Sequence, residues 1–250
     1  MNNLEKLFSL KGKIALVTGA ARGNGYAIAN GLIDAGAVAY FVDINPIEIN
    51  RENAFAIQAD ITKRGGLKKI IKEILGRHYK IDILVNNAGR GKSFLSEDYP
   101  IEEWENTLEV NLKAPFILSQ LVAKQMIKRG QGGSIINITS LGAEFGFPNN
   151  PAYLASKGGL KMMGKGFAED WSKYGIRVNN ICPGYINTPF HEGRNKNPKI
   201  YNERLKRMMI KRWGEPEDLI GGVIFLASDA SSYITGEDIH IDGGWTAKGL

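Results

Sequence analysis

The sequence holds a single cysteine, Cys182. An intrachain disulfide is therefore excluded, and the ordinary use of such a cysteine is as a small buried apolar residue. Long hydrophobic runs are missing too. No stretch approaches the roughly 20 apolar residues that a helix needs to cross a bilayer. The opening MNNLEKLFSLKGK has no unbroken apolar segment and no small-residue cleavage site, so it does not read as a secretory signal. These absences lead to the expectation of a cytoplasmic protein with no membrane partner. Linkers, internal repeats and low-complexity tracts are also lacking. The chain reads as one domain, residues 1–250.

Acidic residues fall short of basic ones, giving a net charge of +6. The shortage is local. Between His191 and Trp213 eight lysines and arginines face only Glu192 and Glu203. The rest of the chain is balanced, which argues against a nucleic-acid partner. No metal-ligand set is read from the sequence.

Apolar residues make up 43% of the chain, enough for a sizeable core. They come in short runs that alternate with helical patterns. KIALVT (13–18), AVAYFVD (37–43), AFAIQAD (54–60) and IDILVNN (81–87) read as strands. GSIINITS (133–140), IRVNNICP (176–183) and DIHID (238–242) follow in the same manner. Continuous apolar strands alternating with helices predict an α/β fold, a doubly wound parallel sheet with helices on both faces. Ligands then bind at the carboxyl ends of the strands. Only ten residues separate Asp43 from Ala54, too few for a full crossover helix, so at most one helical turn is expected there.

Directly after the first strand comes TGAARGNG, residues 18–25, leading into a helical stretch from about 25 to 35. Three glycines at that point serve either a plain tight turn or a bound pyrophosphate. A helix start exposes unpaired N–H groups and the positive end of its dipole, and glycines let an anion approach the backbone. Gly19, Gly23 and Gly25 suit a dinucleotide, although the spacing G-x-x-x-G-x-G is a weak signal alone. The second strand ends in Asp43, placed to accept hydrogen bonds from an adenosine ribose and to repel a 2′-phosphate. That favours NAD(H) over NADP(H). Arg22, in the glycine loop, argues the other way.

PAYLASKGG carries Tyr153 and Lys157 four residues apart, one turn apart on one helix face. A free phenol, with a pKa of about 10, is a poor base at neutral pH. An adjacent ammonium stabilises the phenolate, so the pairing predicts a lowered tyrosine pKa and an acid/base role toward an alcohol or ketone. About one Y-x-x-x-K pair is expected by chance in a chain with nine tyrosines, so the pair decides little by itself.

Taken together, TGAARGNG, the acid in FVDIN, ADIT (59–62), NNAG (86–89), VNL (110–112), NITS ending at Ser140, YLASK (153–157), PGYINTP (183–189) and IDGGW resemble the short-chain dehydrogenase/reductase family along essentially the whole chain. The resemblance implies a Rossmann-type fold and catalysis by Tyr153 as acid/base, Lys157 as its tuner and ribose anchor, Ser140 on the substrate oxygen, and Asn111 holding a relay water. It implies cofactor contacts from Gly19, Arg22, Asn24, Gly25, Asp43 and Ile44. Further contacts follow from Asp60, Ile61, Asn87, Ala88 and Gly89, and from Pro183, Gly184, Ile186 and Thr188 at the nicotinamide end. Asn24 departs from the family pattern, which has an apolar residue there. The family also implies a homotetramer and a mobile substrate lid, here residues 188–212, whose basic character suits an anionic substrate. Among family branches the chain is most similar to sugar-acid dehydrogenases of the gluconate type, with a small-molecule alcohol or ketone as substrate. The 3-oxoacyl-carrier-protein reductases are the alternative, and a non-catalytic nucleotide-binding scaffold is a remote one.

Overall fold

A computed structural model describes residues 2–191 and 197–248. Its elements run in the order α1 (Asn3–Phe8), β1 (Ile14–Thr18), α2 (Gly23–Asp34), β2 (Val38–Asp43), β3 (Ala54–Gln58), α3 (Arg64–His78) and β4 (Ile83–Asn86). There follow α4 (Ile101–Leu108), α5 (Ala114–Arg129), β5 (Gly133–Ile138), α6 (Pro151–Trp171) and β6 (Ile176–Pro183). The last are α7 (Pro198–Arg207), α8 (Ile220–Ala227) and β7 (Asp238–Ile241). All seven expected strands are present. No helix forms between Asp43 and Ala54, as the short link required.

The strands make one parallel sheet in the order β3-β2-β1-β4-β5-β6-β7. Alternation along each strand divides the core in two. Ala15 and Val17 of β1 face α2 and α8 with Ala39, Phe41, Val85 and Ile138. Ile14 and Leu16 face the other way, onto α3, α5 and α6, with Tyr40, Val42, Leu84 and Ile135. Both faces are covered, which is why the central strands carry no polar alternation. Each fully buried Leu, Ile or Val contributes roughly 1.5–3 kcal/mol on leaving water.

Two polar features cross this core. Asp82, just before β4, accepts from the Ile14 N–H at 2.8 Å and pairs with Arg129 at 2.7 Å, tying the amino ends of β1 and β4 to α5. An asparagine ladder runs through the sheet: Asn86 donates to Asn137 at 2.9 Å, and Asn137 to Asn180 at 3.0 Å. These buried amides fix the mutual register of β4, β5 and β6.

The sheet order reverses between β1 and β4, so the loops after these strands diverge and leave a crevice at their carboxyl ends. A third cluster closes the far side of that crevice. Trp213, Trp245, Met208 and Leu141 pack with Tyr185 and Tyr201. Met208 and Trp213 are each 1% exposed, so the carboxyl end of the basic 188–212 segment is anchored in an aromatic core. Residues 192–196 of the expected lid lie outside the described residues.

Candidate active site

The crevice is a cavity of about 770 Å³. The glycine loop contributes Gly19, Arg22 and Asn24 to its wall, and the ends of β2 and β3 contribute Asp43, Ile44, Asp60 and Ile61. After β4 come Asn87, Ala88 and Gly89. Ser140, Tyr153 and Lys157 line it from the β5 side, and Pro183, Gly184, Ile186 and Thr188 line it from the end of β6. Gly25 and Asn111 stand behind this surface.

Gly19 has φ +67°, and a Cβ there would lie 2.7 Å from the Ala88 Cα. No side-chain-bearing residue satisfies both conditions without strain. Gly25 lies within the first turn of α2, and its Cβ would fall 2.2 Å from the Gly19 carbonyl oxygen. Its missing side chain lets the helix close on the loop. The amino end of α2 has no side-chain cap, so its N–H groups remain available at the cavity. The Asn24 Oδ1 beside it is buried without a hydrogen-bond partner. An uncapped helix start and a loop that admits no Cβ fit a bound pyrophosphate. The loop is held by Thr18, whose Oγ1 accepts from the Asn87 and Ala88 N–H groups at 3.1 Å each. Asn87 in turn donates to the Thr18 and Gly19 carbonyls at 2.9 and 3.0 Å.

Asp43 is fastened on the loop side. One carboxylate oxygen accepts from the Ala21 N–H at 3.0 Å, the other from the Asn45 N–H and side chain at 2.9 Å each. Asp60 accepts from the Thr62 N–H and hydroxyl at 2.8 and 2.7 Å. Both acids are oriented before any ligand arrives.

The catalytic candidates come from β5 and α6. Tyr153 fits between two glycines: a Cβ on Gly91 would lie 3.0 Å from its Cδ2, and one on Gly142 3.3 Å from its Cε1. The Ser140 Oγ accepts from the Gly142 N–H at 3.0 Å, which fixes the hydroxyl. Lys157 is 3% exposed, and its Nζ donates to the Ile138 carbonyl at 2.7 Å, 5.8 Å from the Tyr153 ring centre. Burial lowers the Lys157 ammonium from 10.5 to about 8. The Tyr153 phenol is pushed up by burial, against the opposing pull of the Ser140 hydrogen bond. This corrects the expectation of a lowered tyrosine. In the protein alone, removal of water from the phenolate outweighs the help of its neighbours.

Asn111 sits in a π-helical turn, Glu109–Lys113, between α4 and α5. Its Nδ2 donates to the Arg90 carbonyl at 2.8 Å and the Ser156 hydroxyl at 3.0 Å, and its Oδ1 accepts from the Arg90 N–H at 2.8 Å. Both amide hydrogens are used in pinning the loop after β4 to α6.

Sequence reasoning missed Thr18, Arg90, Asn150, Tyr185 and Trp213. The last four line the cavity, whereas Thr18 holds its loop. The hydroxyl of Thr18 at a strand end was a visible signal. Trp213 and Tyr185 carried none, because their pairing at 5.2 Å joins residues 28 apart through the fold. Among the described residues no helix is long and apolar enough to cross a membrane.

Comparison with known proteins agrees with this architecture. A family model described as enoyl-(acyl carrier protein) reductase matches residues 19–246. A 2-dehydro-3-deoxy-D-gluconate 5-dehydrogenase of Bacillus subtilis is 40% identical over 99% of this chain and 100% of its own. An NAD-dependent glycerol dehydrogenase of Listeria innocua is 38% identical over 98% of each. The crystal structure of a gluconate 5-dehydrogenase from Burkholderia cenocepacia, in complex with NADP and tartrate, superposes with a TM-score of 0.91 at 34% identity, covering 99% of this chain and 100% of that one. With its parallel seven-stranded sheet and this degree of likeness along its whole length, the chain belongs to the short-chain dehydrogenase/reductase family of nucleotide-dependent oxidoreductases acting on CH–OH groups.

Proposed function

We propose that the protein interconverts a secondary alcohol and a ketone on a sugar acid or a related polar hydroxy compound, with NAD(H) as the preferred cofactor. The observation that carries this reading is the convergence of Ser140, Tyr153 and Lys157 on one cavity that also contains the uncapped start of α2. The nicotinamide supplies hydride transfer when bound. The chain's own groups do the rest. Gly19, Asn24 and the α2 amides hold the pyrophosphate, with Gly25 permitting the close approach. Asp43 and Ile44 take the adenosine ribose, Asp60 and Ile61 flank the adenine, and Asn87, Ala88 and Gly89 back the cofactor. Pro183, Gly184, Ile186 and Thr188 surround the nicotinamide end. The Ser140 hydroxyl donates to the substrate oxygen, and Tyr153 gives or takes its proton. Lys157 supplies the nearby positive charge. A relay water past Asn111 would be held by a backbone carbonyl of the π turn, since both side-chain amide hydrogens are engaged.

NAD(H) is favoured over NADP(H) because the Asp43 carboxylate lines the cavity at the strand end and repels a 2′-phosphate. Arg22 also lines the cavity but is exposed, where its charge is screened by water. A cytoplasmic homotetramer fits exposed Phe116 on α5 and Met162 on α6. The test is a panel of hydroxy and keto compounds followed by nicotinamide absorbance, with NAD(H) and NADP(H) in parallel. Turnover of sugar acids with NAD(H) is expected. Exclusive turnover of acyl thioesters would establish instead the 3-oxoacyl-carrier-protein reductase reading, which the basic 191–213 stretch does not exclude.

A further inference from the structure

Similarity alone leaves the substrate's charge open, since one relative is named for neutral glycerol and another for a sugar acid. Four cationic side chains line the cavity among the described residues: Arg22, Arg90, Lys157 and Arg204. Three are already committed. Arg90 is ion-paired with Glu103, whose side chain is only 16% exposed and which also holds Lys92 at 2.6 Å. Lys157 is buried against Tyr153 and the Ile138 carbonyl. Arg22 belongs to the glycine loop, at the cofactor end.

Arg204 remains. It lies on the last turns of α7, and among the described residues its guanidinium is in no ion pair, neighbouring Glu203 included. It stacks 5.2 Å over the ring of Tyr185. That ring is itself wedged against Trp213 at 5.2 Å and Trp245 at 5.0 Å. A guanidinium placed over an aromatic face keeps N–H donors at its edge available for a bidentate carboxylate. The aromatic wall lowers the local dielectric and strengthens such a pair. A second polar group on this cavity also lacks a partner. The Asn150 Oδ1, three residues before Tyr153, is buried without a donor. A substrate hydroxyl would satisfy it.

We infer that Arg204 anchors the substrate carboxylate, with Asn150 accepting from a substrate hydroxyl, so that the enzyme selects hydroxylated acids over neutral polyols. The inference rests on the sugar-acid reading above. It places the selectivity on α7 rather than on Arg90, which is held in an ion pair by Glu103.

Gluconate and glucitol test this directly, because they share a skeleton and differ at one end by a carboxylate against a hydroxymethyl group. kcat and KM are measured for both with native enzyme, Arg204→Met, Arg204→Lys and Lys206→Met, each verified as folded by thermal unfolding. Lys206 lies on the same helix, is exposed and does not line the cavity, so its variant removes an equal charge from a different place. Arg204→Met is expected to lower the acid-to-neutral ratio of kcat/KM about 10- to 100-fold, mainly through KM. Arg204→Lys should recover part of it, and Lys206→Met should leave the ratio within about threefold. An equal fall with Lys206→Met overturns the anchor, since a diffuse field then explains the preference. So does gluconate turnover with an unchanged ratio in Arg204→Met, which leaves the sugar-acid reading standing. A native enzyme that turns over no acid overturns both.

Discussion

Lys157 is held by burial and by the Ile138 carbonyl, and Tyr153 by the two glycines beside its ring. Replacing Tyr153 by Phe keeps the ring that fills the gap between Gly91 and Gly142, and removes only the hydroxyl. We expect kcat to fall about 10²–10⁴-fold while NADH affinity, read by fluorescence titration, stays within about twofold. Retention of most activity would show that another group moves the proton. Lys157 makes a separate prediction about stability. Its folded pKa of about 8 lies below the usual 10.5. Between those values the unfolded chain carries a proton that the folded chain has shed, so unfolding takes up a proton and stability rises with pH. The gap is equivalent to about 3 kcal/mol. Lys157→Met lacks this slope. Relative to the native chain it should lose about 2 kcal/mol between about pH 7 and about pH 10, other titrations being shared by both proteins. Denaturant midpoints at the two pH values measure it. A constant difference would mean that Lys157 is not held at a lowered pKa. Above about pH 8 the same loss of charge removes its support for the phenolate.

At the scale of elements, the start of α2 is the proposed cofactor end of the site. Its N–H groups are free because no side chain caps them, and they reach the cavity because Gly25 lets the first turn approach the loop. Gly25→Ala forces a methyl carbon to within 2.2 Å of the Gly19 carbonyl oxygen. Neither atom belongs to a flexible side chain, so the helix or the loop must shift, at about 1–3 kcal/mol. We expect a lower unfolding temperature together with a rise in the cofactor Kd of about tenfold or more. A normal Kd in a destabilised variant would show that α2 approaches the loop for packing alone. The other decisive element is the basic stretch after β6. Its composition suggested a polar, mobile lid. The structure shows that the part around 208–213 is pinned by Met208 and Trp213 into an aromatic cluster, with Tyr201 of α7 stacked on Trp213 at 5.4 Å. α7 is thereby moored at its carboxyl end.

For the whole molecule, a cofactor bound as proposed would span the carboxyl edge of the sheet from β3 to β6 and act as a structural ligand. Any ligand that binds only the folded chain adds about 2.7 kcal/mol at 100 times its Kd, or roughly 5–10 °C for a chain of this size. NADH should therefore raise the unfolding temperature more than NADPH does at equal concentration. Asp43→Ser, which keeps a hydrogen-bonding group but removes the charge, should narrow or reverse that order. A larger shift with NADPH in the native protein would overturn the assignment of Asp43 to the ribose and align this chain with the NADP-bound gluconate 5-dehydrogenase it resembles.

Much of this was legible in the sequence because it is written in neighbouring residues. Strand periodicity, the glycine cluster after β1, Asp43 at the end of β2 and the four-residue spacing of Tyr153 and Lys157 are local patterns, and the backbone geometry of strand and helix converts them directly into position. Their order along the chain, joined by right-handed crossovers, brings Gly19, Asp43, Ser140 and Tyr153 to one edge. What the sequence left open depends on contacts between distant segments. The direction of the Tyr153 shift turns on how much water the fold removes around the ring. The use of both Asn111 amide hydrogens turns on the loop at Arg90 and on Ser156 of α6. That Arg90 is ion-paired while Arg204 is not follows from where α4 sets Glu103 and where the aromatic cluster sets Tyr185. Local sequence determined which groups are present. Long-range packing decided which of them are dry, which are paired and which remain free to meet a ligand, because dehydration and pairing are properties of neighbours that only the tertiary fold supplies.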